Sequence, residues 1–396
     1  MNLVLCLTII VALNLACASV PKRTPLPEEL VSKARVPGGD WARQWGDVEP
    51  VWADKWFSMS DDETRELLGG IMGREHDYLA ISGGGADGAY GAGLLCGWTE
   101  AGTRPEFTLV TGISTGALIA PFAFLGPDYD HVLRTFYTST STNDVIKKRS
   151  ILSVLTSDAA ASSEPLQTLI AQVFTSTEMN AVAAEHRQGR RLFIGTTNLD
   201  ANRPVSWNIG YIADSGDPGA LSLIRQILLA SASIPAAFPP VLIEVEADGR
   251  VYDEMHVDGG ATAQVYVYPA GLDWEHVLEK LEVSTMPNLY VIRNSMLEPR
   301  YVEVKNKITN IAGRSVSSMI RTQGIGNMYL IYLLAKRDGL VYHLSYIPGS
   351  FNHEANEAFD PVYMKKLFDL GYESAVGGDP WEAVPPGYDL KAELDR

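Results

Sequence analysis

Gly112-Ile113-Ser114-Thr115-Gly116 is the stretch on which the reading of this chain turns. It follows Phe107-Thr108-Leu109-Val110-Thr111, an apolar run with the composition of a buried strand, and precedes Ala117-Leu118-Ile119-Ala120, the start of a helix. A G-x-S-x-G between strand and helix is a nucleophile elbow: the turn is so tight that only glycine fits on either side, and the serine hydroxyl is lifted off the backbone above a helix N-terminus. The pentapeptide recurs by chance, so its weight comes from its flanks and from two further stretches. Gly83-Gly84-Gly85-Ala86-Asp87-Gly88 follows the strand-like Asp77-Tyr78-Leu79-Ala80-Ile81-Ser82. Consecutive glycines let backbone amides converge on a negative oxygen with no side chain in the way, as an oxyanion hole requires. Asp258-Gly259-Gly260 follows the strand-like residues 251–257 and sets an aspartate at a strand end before a sharp turn.

A glycine loop, then G-x-S-x-G, then D-G-G, in that order, resembles the patatin-like phospholipases. Leu192-Phe193-Ile194-Gly195-Thr196-Thr197-Asn198-Leu199-Asp200 resembles the family's central strand and the loop after it. Ala230-Ser231-Ala232-Ser233-Ile234-Pro235-Ala236-Ala237-Phe238-Pro239-Pro240 resembles its A-S-x-x-I-P-x-x-F-P-P block, and Phe368-Asp369-Leu370-Gly371-Tyr372-Glu373 the tail of bacterial members. The resemblance implies a three-layer α/β/α fold with a mostly parallel central sheet, and a hydrolase of lipid acyl esters. It implies Ser114 as nucleophile and Asp258 as its base in a Ser–Asp dyad, the amides of Gly83, Gly84 and Gly85 as oxyanion hole, Gly112 and Gly116 as elbow glycines, and neither metal nor cofactor. One position departs. The family's glycine loop commonly carries Arg or Lys before its last glycine, and this chain has Asp87. An acid there disfavours a developing oxyanion unless it points away or a cation offsets it.

Three rival readings are weaker. A Ser–His–Asp triad could draw on His256, His343 or His353, and His256 shares a strand face with Asp258; a lone histidine is more often structural, and the resemblance implies none. Gly83, Gly85 and Gly88 satisfy the dinucleotide fingerprint G-x-G-x-x-G, but that needs an acid at the end of the next strand. Here Glu106 precedes that strand and the elbow occupies its end. A non-catalytic lipid-binding protein of the same fold has only Asp87 in its favour. No H-E-x-x-H or paired-cysteine spacing is present, and Asp214-Ser215-Gly216-Asp217-Pro218-Gly219 reads as a polar turn rather than a calcium loop.

The chain has 396 residues, 46% of them apolar, and a formal net charge of −16. That charge argues against binding nucleic acid, or an anionic membrane, through bulk electrostatics; Lys147-Lys148-Arg149 reads as a solvated patch. Leu3 to Ala16 is almost wholly apolar and uncharged, short for a membrane span and long enough for the core of a signal peptide. Ala16-Cys17-Ala18 fits a cleavage site before Ser19, whereas Leu15-Ala16-Cys17 resembles a bacterial lipoprotein signal with Cys17 lipidated. The expectation is an exported bacterial protein, anchored through Cys17 or soluble in the periplasm or medium, acting on acyl esters at a membrane surface. Cys96, within Leu94-Leu95-Cys96-Gly97, reads as a core residue.

The chain divides into a signal (1–18), a Pro-rich tether and Trp-rich extension (19–75), a catalytic domain (76–300) and a C-terminal extension packed on it (301–396). Trp41 and Trp45, then Trp52 and Trp56, are each four apart, which predicts two short helices on either side of Pro50, forming a clasp on the body or an aromatic surface for lipid. From residue 76, alternating strands and helices predict an α/β fold with a largely parallel sheet. One helix is expected over 165–187, another from Leu221 to Ser231, and a lid or plain surface excursion over 138–163. Beyond the D-G-G lie a strand at Asn288–Asn294, a long helix at about 304–337, a strand at Leu340–Ile347 and a helix at about 360–376.

Overall fold

The computed structural model describes residues 23–148 and 159–388; the expected signal segment with Cys17, and Arg149 of the basic patch, lie outside the described residues. One sheet of nine strands organises the chain. Its strands are β1 (Arg43–Trp45), β2 (Asp77–Ile81), β3 (Leu109–Ile113), β4 (Arg191–Asn198), β5 (Arg203–Asn208), β6 (Val241–Ala247), β7 (Arg250–Asp258), β8 (Asn288–Met296) and β9 (Val341–Ile347). The order is β1-β5-β4-β3-β2-β8-β9, with β7 also on β4 and β6 on β7. From β4 to β9 neighbouring strands run parallel, and the flank built by β1, β5, β6 and β7 is antiparallel.

Helices cover both faces. Among them are α1 (Gly88–Glu100), α2 (Thr115–Leu125), α3 (Asp130–Ser139), α4 (Ala220–Ser231), α5 (Ile308–Arg337) and α6 (Pro361–Val376). Successive residues of β2 feed opposite cores: Leu79 and Ile81 join one with α1, α2, α4 and α6, while Tyr78 and Ala80 join the other. The second core holds Trp56 and Leu68 of the N-terminal extension, Trp274 and Val277, and Met328 and Ile331 of α5. This is the period of two along a strand, and burial on both faces is why the parallel strands read as apolar runs rather than alternating ones. The three layers expected from the sequence are therefore present.

Helices α1 and α6 touch backbone to backbone. A Cβ on Gly93 would meet Phe368 O at 2.0 Å, one on Gly97 would meet Tyr372 O at 2.3 Å, and one on Gly371 would meet Tyr90 O at 2.2 Å. The small-residue run of α1 and the glycine of the C-terminal tail thus answer each other. This contact fixes α1, and with it the glycine loop from which α1 springs.

Two local expectations are corrected. Residues 165–187 form two helices, Glu164–Val173 and Ser176–Arg187. Thr175 and Glu178 make a capping box that starts the second, satisfying its first amides and ending the apolar periodicity of the first. Trp41 and Trp45 share no helix. Gly38 and Gly39 turn the chain at φ 90° and 68°, Trp41 closes a short 3-10 turn, and Trp45 ends β1, which pairs with the edge strand β5. Trp41 stacks on Trp52 at 5.5 Å and Trp56 is buried, so the tryptophans pack on the body. In the segment 138–163, the amides of Ala160 and Ala161 donate to Ala236 and Ala237 O at 3.0 and 3.1 Å; residues 149–158 are outside the described set. No helix among the described residues is long and apolar enough to cross a membrane.

Gly371→Ala is expected to push α6 off α1 and cost about 1–3 kcal/mol, the scale of core overpacking. Gly313→Ala, in α5 where a Cβ meets nothing within 4 Å, should stabilise slightly through helix propensity. Equal melting temperatures for the two variants would show that the α1–α6 contact is not tight.

Candidate active site

β4 brings the two motifs together. Along one edge of β4, residues 191–195 pair with β3, ending with Gly195 opposite Ile113. The next residue, Thr196, pairs with Asp258 of β7. β3 and the antiparallel β7 therefore run towards each other and stop at consecutive positions of one strand, so Ser114 and Asp258 emerge side by side although 144 residues (258 − 114) separate them.

The elbow has the strain its motif implies. Ser114 sits at φ 56°, ψ −124°, between β3 and α2, a left-handed conformation that non-glycine residues rarely adopt. A Cβ on Gly112 would meet Gly116 O at 2.4 Å, and one on Gly116 would meet Ile81 O at 2.3 Å. Two serines of the A-S-x-x-I-P block hold the assembly. Ser231 Oγ accepts from Ser114 N at 3.0 Å and donates to Gly195 O at 2.6 Å. Asp258 N donates to Ser233 O at 2.9 Å. The block was legible as a resemblance, but its clamping role depends on where α4 ends against β4.

Asp258 Oδ1 accepts from Gly260 N at 2.7 Å. Its Oδ2 is buried with no partner in hydrogen-bond geometry; the Ser114 hydroxyl is near enough to favour the ionised carboxylate without being aligned for a bond. Burial pushes the Asp258 carboxyl up to about 6, against the smaller opposing pulls of Ser114 and Gly260. The glycine loop departs from expectation at one residue. Gly83 N already donates to Gln264 O at 3.1 Å, because the loop is tied to residues beyond the D-G-G turn. The amides of Gly84 and Gly85 make no hydrogen bond among the described residues, which leaves these two for an oxyanion.

Asp87 lines the cleft, held by a hydroxyl and offset by nearby cations. Its Oδ1 accepts from Tyr363 Oη of α6 at 2.8 Å. Burial raises its pKa to about 6, while Tyr363 and the charges of Arg293 and Arg300 act to lower it. Arg293, on β8, was not singled out from the sequence; a lone arginine inside the apolar Leu289-Tyr290-Val291-Ile292 strand is the signal that could have found it. Ser114, Asp258, Gly84, Asp87 and Arg293 line one cleft of about 1070 Å³, whose apolar wall includes Ile234, Val316, Met319 and Ile320.

The histidines are engaged elsewhere. His256 is fully buried between Thr196 Oγ1 (Nδ1, 2.9 Å) and Glu254 Oε2 (Nε2, 3.3 Å). His343 bonds Asn288 Oδ1 at 3.1 Å near the start of β9, at the other end of the sheet from Ser114. His353 is exposed and meets Lys366 Nζ at 3.3 Å. None contacts Ser114 or Asp258. Glu106, the acid a dinucleotide reading would need, lies exposed before β3 and meets Arg190 at 4.0 Å, at the wrong end of the strand for a ribose. Among the described residues no group of three or more His, Cys, Asp or Glu side chains could hold a metal ion.

Residues 79–270 match the model of the Patatin family, described as patatin-like phospholipase. No curated protein sequence matches. Among solved structures, VipD from Legionella pneumophila matches at 13% identity and a TM-score of 0.34, over 77% of this chain and 67% of that one; a likeness of that size carries no argument. The family match spans the glycine loop, the elbow, the A-S-x-x-I-P block and the D-G-G turn, the same segments that converge on the cleft. Residues 79–270 are thus a patatin-like phospholipase domain.

Proposed function

We propose that this protein is a serine hydrolase of lipid acyl esters working through Ser114 and Asp258. Family members are typically lipid acyl hydrolases. The observation that carries the reading here is the meeting of Ser114 with a buried, unpartnered carboxylate oxygen of Asp258. Serine is a weak nucleophile until a base takes its proton. Ser114 Oγ attacks the ester carbonyl as Asp258 accepts the proton. The oxyanion of the tetrahedral intermediate takes hydrogen bonds from Gly84 and Gly85. Collapse expels the alcohol, which recovers the proton from Asp258 and leaves an acyl-serine. Water, deprotonated by Asp258, attacks the acyl group, and the fatty acid leaves as Ser114 regains its proton. A carboxylate at about 6 is a stronger base than an ordinary aspartate and is still ionised at neutral pH, the balance general-base catalysis favours.

A lipid surface is the proposed setting. From 304 to 337 the chain has no Asp or Glu but carries Lys305, Lys307, Arg314, Arg321, Lys336 and Arg337, in a protein of net charge −16. Residues 301–320, apart from half-buried Arg314, are exposed, so the first turns of α5 project from the body. Ile308 is 85% and Met319 68% exposed. A basic helix with exposed apolar side chains suits the interface of an anionic membrane, and Val316, Met319 and Ile320 continue from it into the cleft. Bulk charge had argued against such binding; the local exception lies in one helix. Export, with Cys17 as a lipid anchor, completes the proposal.

Ser114→Ala and Asp258→Asn are each expected to lower kcat/KM for p-nitrophenyl butyrate on the order of 10³-fold or more, and the double variant little further, because the pair acts as a unit. Asp258 must be ionised to act, so activity should fall as pH drops through about 6, some two units above the limb of an ordinary aspartate. A histidine titrates in the same range, so His256→Gln, His343→Gln and His353→Gln should retain that limb. A folded histidine variant as inactive as Ser114→Ala would replace the dyad by a triad.

Cys17→Ser should release the protein from the membrane fraction of the cells that make it and abolish palmitate labelling; retention with an unmodified mature N-terminus at Ser19 would refute the anchor. In that unacylated background, Ile308→Asp, Ile311→Asp and Met319→Asp together should weaken sedimentation with phosphatidylglycerol vesicles by about 10-fold or more. Unchanged partitioning would exclude α5 as the membrane contact.

A further inference from the structure

The second core contains a cavity that the proposed reaction does not use. Its volume is about 130 Å³. Trp41, Gln44, Trp52, Trp56, Leu68 and Ile71 of the N-terminal extension form one wall, and all of them lie outside the matched residues 79–270. The facing wall includes Leu109, at the start of β3, and Arg191, at the start of β4, which pair with each other. Ser114 is five residues beyond Leu109 (114 − 109), about 16 Å along an extended strand. The cavity and the catalytic cleft therefore lie at opposite ends of β3, and they share no lining residue. A void among such side chains costs a fold stability. One of about 150 Å³ with an apolar lining stays dry and takes a molecule the size of benzene.

Arg191 gives this cavity a charge. Leu192 and Ile194 join the core under α1 and α2, whereas Phe193 packs on the second core; by the alternation of a strand, Arg191 faces the same side as Phe193. Its Nη1 donates to the carbonyls of His186 and Arg190 at 3.0 and 2.9 Å and meets His186 Nδ1 at 3.3 Å. Nε and Nη2 make no hydrogen bond among the described residues, and packing does not seal them in as it seals Nε and Nη1 of Arg293. The neighbouring cations are paired, Arg187 with Asp214 and Arg190 with Glu185, but Arg191 makes no ion pair among the described residues. No carboxylate acts on its charge. The titratable group that does is the phenol of Tyr211, whose ring centroid lies 5.6 Å from the guanidinium carbon. Burial draws the Arg191 pKa down to about 10, so the group is still a cation at neutral pH.

An apolar void with a half-used guanidinium at its wall matches one kind of guest. We infer that the cavity is a second binding site, for a small apolar carboxylate whose body fills the void and whose two oxygens meet the Nε–Nη2 edge of Arg191. The N–H groups of that edge are parallel, and a carboxylate accepts both at once. The apolar body gains from leaving water, and the guanidinium selects the acid over a neutral molecule of the same shape. The extension, which the family match does not cover, is what closes this site over the sheet. The inference stands independently of the hydrolase reading, because none of its residues belongs to the catalytic cleft.

The test is calorimetric titration of benzoate, hexanoate and benzyl alcohol into wild type, Arg191→Met, Arg191→Lys, Val277→Phe and Arg293→Gln. Val277→Phe fills part of the cavity, and Arg293→Gln removes the cation of the catalytic cleft. At least one of the two acids is expected to bind wild type and Arg293→Gln alike, about tenfold or more tighter than benzyl alcohol, the scale of a charge-assisted hydrogen bond. Arg191→Met should remove that preference and leave the alcohol unaffected, Arg191→Lys should restore part of it, and Val277→Phe should abolish binding of acid and alcohol together. If Arg191→Met does not fold, Arg191→Lys and Val277→Phe still decide. Neither acid binding wild type, equal affinity for acid and alcohol, or acid binding that survives Val277→Phe would each overturn the inference. Acid binding lost in Arg293→Gln but kept in Arg191→Met would place the acid in the catalytic cleft and overturn it as well.

Discussion

The step from Gly195 to Thr196 on β4 is the constraint on which the site depends. At that step one strand edge passes from β3 to β7, and the two chain ends carrying Ser114 and Asp258 are brought together there. Strand side chains alternate, so a slip of one residue in β7 would turn Asp258 to the opposite face. The crossing is crowded. A Cβ on Gly259 would meet Gly195 O at 2.6 Å, and one on Gly195 would meet the Tyr266 ring at 2.9 Å. Ser231 bridges the elbow amide to Gly195 O across the same point. The G-x-S-x-G glycines, the D-G-G glycines and the A-S-x-x-I-P serines are thus parts of one close backbone junction.

Charge around this junction is distributed against folding stability. Asp258 and Asp87 both have pKa values near 6 through burial, and Arg293 is buried with Nε and Nη1 unbonded. Each is less stable folded than an apolar residue would be, and such groups gather where binding and proton transfer need them. The loop position that resembles an Arg or Lys site in relatives is an aspartate here. A cation is nevertheless present near it, carried on β8 instead of on the loop.

The N-terminal extension and α5 show how elements outside the matched segment serve it. Trp56 and Leu68 share a core with Met328 and Ile331 of α5, so the extension and the C-terminal half of α5 are packed against the sheet. The N-terminal half of α5 continues past that core into solvent beside the cleft. A short isolated helix is marginal in water; here the exposed half is continuous with a packed one.

Much was legible from residue order alone. Glycines on both sides of Ser114, the glycine loop, the D-G-G turn and the apolar runs around them carry local backbone demands, and those demands imply the elbow, the strands and the layered α/β class. The capping box Thr175-Ser176-Thr177-Glu178 is equally local, and it breaks a helix where apolar periodicity alone runs on. Four-residue spacing misled at Trp41 and Trp45 because the free edge of β5 offered a strand pairing that spacing does not encode. What only the tertiary structure decided is which distant groups share a partner. Gly83 has its amide taken by Gln264, Asp258 keeps one oxygen free, His256 is held between Thr196 and Glu254, and Arg293 keeps Nε and Nη1 unbonded. Hydrogen-bond saturation and burial depend on every element that packs around a group, whereas a motif records only the backbone geometry its own few residues require.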